Sequence, residues 1–280
     1  MDQQSTETRT VTKALIASES RAVHTDSVMT DPFAPLNAEL DAWRLTGRRA
    51  TLWWRDDDAT EPSAPLDRLL ACSADRGIPL TLAVIPQPAT RSLADRLAGN
   101  SLVRVAQHGL AHSNHGSGEE KKIELGGTLN DQEVARHLGD GRAILDRLFG
   151  PQMVPMMVPP WNRIRDSVVK MLPDLGYRAL STFKPRAAPV DERGLRLLNT
   201  HVDIVDWSHD ARFPGAERVI ATLVNHLKAR RENRVEPFEP TGLLTHHLVN
   251  KNESWDFLDQ LGAMTRAHPA ADWVTWEEQT

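Results

Sequence analysis

Thr51-Leu52-Trp53-Trp54-Arg55-Asp56-Asp57-Asp58 runs from residues of strand type straight into a base and three acids. Adjacent carboxylates repel one another, so such a run needs a cation or open access to water. A helix cap or a solvated turn would satisfy it. The position favours chemistry instead, because an apolar strand leads directly into the acids. Leu102-Val103-Arg104-Val105-Ala106 likewise leads into Gln107-His108-Gly109-Leu110-Ala111-His112.

Working outward, short apolar runs alternate with runs of helical period. After Thr51–Trp54 the pattern predicts a helix over 64–76, a strand over 80–85, a helix over 92–98 and a strand over 102–106. A Gly-rich loop, 109–129, follows. Then come a helix over 131–149, strand 153–158, helix 165–175, strands 177–182 and 197–205, helix 216–231, strand 243–245, helix 253–266 and a last strand, 273–276. Alternating strands and helices mean βα units and a mainly parallel sheet of seven or eight strands, close to a barrel. Such sheets bind ligands at the carboxyl ends of their strands. Residues 1–48, polar at the outset and weakly periodic, read as a partly ordered N-terminal arm, and 49–280 as one barrel domain.

Bulk composition removes several classes. The 280 residues are 40% hydrophobic and 25% charged, enough to bury a sizeable core. A net charge of −5 gives no basic face for nucleic acid. The local run Lys228, Arg230, Arg231 and Arg234 reads as the solvated end of a helix. Cys72 is the single cysteine, so no intrachain disulfide forms, and its apolar setting makes it a buried thiol. No run approaches the ~18 apolar residues of a membrane span. The first residues lack a secretory pattern, so the expected location is the cytoplasm.

Polar groups recur at strand ends. His108 and His112 form His-x-x-x-His, and one helical turn would bring both imidazoles to the same side, able to share a metal. His115 offers an alternative pairing. Zinc proteases with this spacing carry Glu after the first His; here Gly109 stands there, so the base must come from elsewhere. Val158-Pro159-Pro160-Trp161-Asn162-Arg163, Asp203-Ile204-Val205-Asp206-Trp207 and Thr245-His246-His247 occupy three further strand ends. One carboxylate and two imidazoles make a three-ligand site with open positions. A second carboxylate can take a proton from water, and His246 can protonate a leaving group.

These motifs, in this order over roughly residues 50–248, resemble the polysaccharide deacetylase family, the NodB-homology or carbohydrate esterase family four type. Asp57-Asp58-Ala59 looks like the family's Asp-Asp-Gly, which implies Asp57 as base and Asp58 as metal ligand; Asp56-Asp57 is an alternative register. His108 and His112 match the second motif and complete the metal triad. Met157–Asn162 is similar to the third, Asp203-x-x-Asp206-Trp207 to the fourth, and Leu244-Thr245-His246 to the fifth, which makes His246 the acid. The resemblance implies a distorted (β/α)7 barrel and a divalent ion, zinc or sometimes cobalt. The substrate would be an acetylated sugar or glycan, with Asp206 in the catalytic set and Pro160, Trp161, Asn162, Trp207 and Asp203 around the substrate. Trp53 and Trp54 could also stack on sugar, although at least one must be core.

Three positions depart from the pattern. Val158 stands where the family has the Arg that orients the base, and Arg55 or Arg163 is the replacement to look for. Ala59 replaces Gly, and Trp161 replaces Tyr. A divergent branch of this kind leaves two other readings open. One is a non-catalytic sugar-binding protein; the other is a metal-dependent amidohydrolase on a non-carbohydrate amide.

Overall fold

A computed structural model describes residues 31–208 and 210–279. The first thirty residues of the expected arm therefore lie outside the described part. The rest of it contains helix α1, Ala34–Leu45, whose Leu36, Leu40 and Trp43 are buried. Glu39 of α1 is held by Arg231 through Nε–Oε1 (2.7 Å) and Nη2–Oε2 (3.0 Å).

Local signals set the helix ends. The Ser63 hydroxyl accepts from the Leu66 amide and opens α2, Ala64–Arg76; Gly77, with φ 60°, closes it in the left-handed region. Thr90 caps α3, Arg91–Leu97. Asn130 and Glu133 form a reciprocal capping box at the start of α4, Asp131–Phe149. Helices α5, Asp166–Met171, α6, Ala216–Arg231, and α7, Asn252–Ala267, complete the outer layer. Among the described residues no helix is long and apolar enough to cross a membrane.

The strands are β1 (Ala50–Ala59), β2 (Leu80–Val84), β3 (Val103–His108), β4 (Met153–Val158), β5 (Ala179–Leu180), β6 (Arg196–Leu197), β7 (Val202–Asp203), β8 (Thr241–Thr245) and β9 (Ala271–Trp273). All named strand pairs are parallel, in the order β6-β5-β4-β3-β2-β1-β8-β7, with β9 beside the start of β1. The two ends of that order are one piece of chain. Segment 196–203 pairs with β5 at its start and with β8 at its end. Between them, Leu198 N donates to Leu180 O, Thr200 N to Thr182 O, and His201 N to Gly242 O. This bent strand closes seven strand positions into a distorted (β/α)7 barrel. It corresponds to the single strand expected over 197–205.

Two local expectations are corrected, and one left open between core and sugar contact is decided for the core. The acids do not follow the first strand but belong to it, because β1 is central and its ladders to β2 and β8 carry on through Arg55 and Asp56. The ladder breaks only after Asp56, where Asp58 takes φ 77°. Arg230 is not a solvated helix end. It is 1% exposed, lies over the Trp43 ring at 5.2 Å and donates to Thr51 O at 2.8 Å. Trp53 and Trp54 are both buried core residues, with indole N–H groups satisfied by Asn199 O and Thr245 Oγ1.

Candidate metal centre and its surroundings

Asp58, His108 and His112 meet at the mouth of the barrel, each offering one ligand atom within 4.8 Å of the others. Asp58 Oδ1 lies 3.1 Å from His108 Nε2 and 3.4 Å from His112 Nε2. His108 is the last residue of β3, and its Nδ1 is 2.9 Å from Val158 O, the end of β4. A carbonyl only accepts, so Nδ1 carries a proton and Nε2 is the nitrogen that faces Asp58. A carboxylate and two imidazole nitrogens crowded this closely need positive charge among them, either a proton on Nε2 or a metal ion. The residues therefore fit a divalent ion, and their N/O donor set suits zinc or cobalt among others.

Burial works against charge on Asp58, yet the hydrogen bond and charge of His108, with His246 and His112 nearby, hold its carboxyl well below the usual range. Burial also disfavours a charged His108, but Asp58 and Asp57 raise its pKa above the ordinary value. Burial lowers that of His112.

His112 does not reach the site on a helical turn. Gly109 (φ 62°) and His112 (φ 56°) both lie in the left-handed region, and no helix forms. Instead the loop wraps around the carboxylate of Glu124, which is 1% exposed. Glu124 accepts from the amides of Leu110 (3.3 Å), Ala111 (2.8 Å) and Ser113 (3.3 Å). A Cβ on Gly109 would stand 1.9 Å from Glu124 Oε2, so only glycine fits there. Glu124 was not among the expected site residues. It sits in an acidic and basic stretch that reads as a solvated loop, and no spacing marks it out. His115 is absent from the three-ligand cluster; its ring lies 6.2 Å from that of His137.

Asp57 is buried on β1 and paired with Arg55, through Nε–Oδ1 at 2.9 Å and Nη2–Oδ2 at 3.0 Å. Arg55 in turn donates to Ser181 Oγ (2.6 Å) and to Asn162 Oδ1 (2.8 Å). Arg163 donates to Lys122 O instead, so of the two candidates it is Arg55 that contacts Asp57. Pro160 packs beneath Gly109, and the Trp161 ring lies edge-on to His112 at 4.4 Å. Trp161 and Asn162 both have positive φ, 55° and 56°, a strained turn of the kind found at functional sites.

Across the mouth, His246 follows β8, and the Trp207 ring meets it edge-on at 4.7 Å. The Trp207 indole donates to Asp203 Oδ2 (2.9 Å), and Val205 N to Asp203 Oδ1 (2.9 Å). Burial pushes the Asp203 carboxyl up, and the nearby His246 works against that rise. Asp206 has both oxygens engaged, by Ser208 and by Arg218 Nη1 at 3.0 Å. The two acids of that motif therefore have different company, and the one that feels His246 is Asp203. His247 is buried, with Nδ1 2.5 Å from Asp56 Oδ1.

No protein-family model matches the sequence, and no curated protein is similar to it. Solved structures do match in fold. A protein from Mycobacterium smegmatis described as a polysaccharide deacetylase superposes with a TM-score of 0.62 at 16% identity, covering 83% of this chain and 89% of that one. The Bc1960 peptidoglycan N-acetylglucosamine deacetylase gives 0.55 at 17% identity, covering 82% and 88%. A family 4 carbohydrate esterase pseudoenzyme from Bacillus anthracis gives 0.50 at 14% identity, covering 80% and 63%. The chain has the polysaccharide deacetylase fold. Enzymes and a pseudoenzyme share it, so activity has to be argued from the site.

Proposed function

We propose that this protein is a metal-dependent deacetylase that removes acetyl groups from an N-acetylated or O-acetylated sugar or glycan. The observation that carries the reading is the convergence of Asp58, His108 and His112 beside a buried carboxylate, Asp57, held by its own arginine. The three ligands would hold zinc or cobalt, and a bound divalent ion supplies Lewis acidity toward water and an acyl carbonyl.

The remaining work falls to side chains of this chain. Asp57 takes the proton from the attacking water. Arg55 fixes the direction of that carboxylate through its paired contacts. Arg55 thus stands in for the arginine that the third motif lacks at Val158. His246 returns a proton to the departing nitrogen or oxygen, with Asp203 nearby and Trp207 bounding its ring. Trp161 and Trp207 flank the mouth and offer apolar faces to a sugar ring. Asn162 acts on the substrate side mainly through Arg55, to which its carbonyl is bonded.

The test is acetate release by zinc-loaded protein from N-acetylglucosamine oligomers and from O-acetylated xylan. Wild-type protein should turn over at least one of them. Asp57→Asn and His246→Ala should each lose about 100-fold or more in kcat. Full activity in either variant, or no acetate from any acetylated sugar, would overturn the reading.

A further inference from the structure

Of the three consecutive acids, Asp58 joins the ligand cluster and Asp57 pairs with Arg55; Asp56 does neither. Its carboxylate is fully buried, and the chain leaving β8 closes over it. Oδ2 accepts from Thr245 Oγ1 (2.6 Å) and from His247 N (2.9 Å), while Oδ1 lies 2.5 Å from His247 Nδ1. Those donors belong to the residues immediately before and after His246. Trp54, two residues back on β1, adds its indole N–H to the Thr245 hydroxyl at 2.9 Å. Backbone pairing of Asp56 with Thr245 in the β1–β8 ladder brings the two together.

His246 itself has little else to orient it. Among the described residues its Nδ1 is buried without a hydrogen-bond partner, and its ring meets the edge of the half-exposed Trp207. An imidazole that no side-chain hydrogen bond fixes is aimed by its backbone. That backbone is held from both flanks by one carboxylate, through the Thr245 hydroxyl and the His247 amide. We propose that Asp56 is a positioning residue that clamps the turn after β8 on both sides of His246 and so aims its imidazole into the barrel mouth.

The role assigned to His246 rests on the deacetylase reading; the clamp itself does not, and the experiment separates the two. Asp56→Asn, Thr245→Val and Thr245→Ser are prepared in the full chain. The first readout needs neither metal nor substrate: the rate of carbethoxylation of His246 by diethylpyrocarbonate, resolved from His247 by fragment mass spectrometry. Asp56→Asn and Thr245→Val should change that rate severalfold, and Thr245→Ser, which keeps the hydroxyl, should restore it. The second readout is kinetic. With zinc, kcat on an acetylated sugar should fall roughly 10- to 100-fold, with KM and zinc affinity nearly unchanged. A wild-type carbethoxylation rate in Thr245→Val overturns the clamp, as does a fall in kcat that tracks lost zinc. Should Asp56→Asn not fold, Thr245→Val and its serine rescue decide alone. If wild-type protein hydrolyses no acetylated sugar while the carbethoxylation pattern holds, the deacetylase reading fails and the clamp stands.

Discussion

Arg55 and Asp57 sit two residues apart on β1 and face each other as a bidentate ion pair, with Arg55 0% and Asp57 3% exposed. Residues i and i+2 of a strand share a face, so the pairing follows from the strand carrying on through the acids. Had the chain turned at Arg55, as a loop rich in acids suggests, the guanidinium would have no fixed relation to Asp57.

Breaking this pair is costly for a stated reason. Arg55→Met leaves a buried carboxylate without its cation and strips donors from Ser181 and Asn162. Loss of about 3–5 kcal/mol of stability is expected, read from urea unfolding, together with loss of deacetylation. Arg163→Met, whose guanidinium bonds an exposed carbonyl, should be within about 0.5 kcal/mol of wild type.

Metal should stabilise the folded chain by mass action. At a zinc concentration of about 100 Kd the gain is about 2.7 kcal/mol, seen as a rise in Tm that a chelator reverses. Asp58→Asn should remove most of that response, because it takes the charge from the only carboxylate among the three ligands. A zinc-independent Tm in wild-type protein would exclude the ligand set.

Glu124 organises the loop that delivers His112. Glu124→Gln replaces an anion by a neutral amide against three backbone N–H groups, and Gly109→Ala drives a methyl into the same carboxylate. Each should weaken zinc binding roughly 10- to 100-fold by calorimetry, with the β-sheet signal in circular dichroism retained.

At the opposite end of the barrel His201 and His226 stack at 3.7 Å, and His201 Nε2 lies 3.2 Å from Glu239. Arg230 and Arg186 stand nearby, so the surroundings already hold cations. With Glu239 the two imidazoles form a second ligand-like cluster, but His201 Nδ1 accepts from Gly242 N. Its Nε2 therefore carries the proton toward Glu239 and is not free to bind metal. Burial, then the charges of His201 and Arg230, lower the pKa of His226 from 6.5 to about 2. A histidine kept neutral in the fold contributes its full stability above its unfolded pKa. That stability is lost as pH falls below about 6.5, by up to about 1.4 kcal/mol per pH unit, because only the unfolded chain takes up the proton. Urea midpoints at pH 7.5, 6.5 and 5.5 should decline more steeply in wild-type protein than in His226→Asn.

Much of the barrel was readable before any coordinates. Helices over 64–76, 131–149 and 216–231 have the bounds their periodicity and caps imply, since those signals lie within a turn of the residues they govern. The polar residues at the strand ends were legible for the same reason: strand propensity followed by polar residues is a local pattern. Glu124 was not readable as a site residue, and Asp56 was readable only through the alternative Asp56-Asp57 register of the acidic motif. Glu124 differs from its neighbours Glu119 and Glu120 only in what it meets. Asp56 is one of three identical side chains whose tasks differ through alternation along β1 and the bulge after it.

The amino-acid order alone determined the alternation of strands and helices, and with it a parallel barrel whose polar residues gather at one rim. It also supplied the carboxylate and imidazole types that a hydrolytic metal needs. Tertiary structure decided the partnerships: Arg55 with Asp57, Glu124 with the His112 loop, Asp56 with the turn bearing His246. The physical reason is range. Helix and strand preferences act over a few residues, whereas a buried charge finds its counterpart only when strands distant in sequence are laid side by side and water is excluded between them.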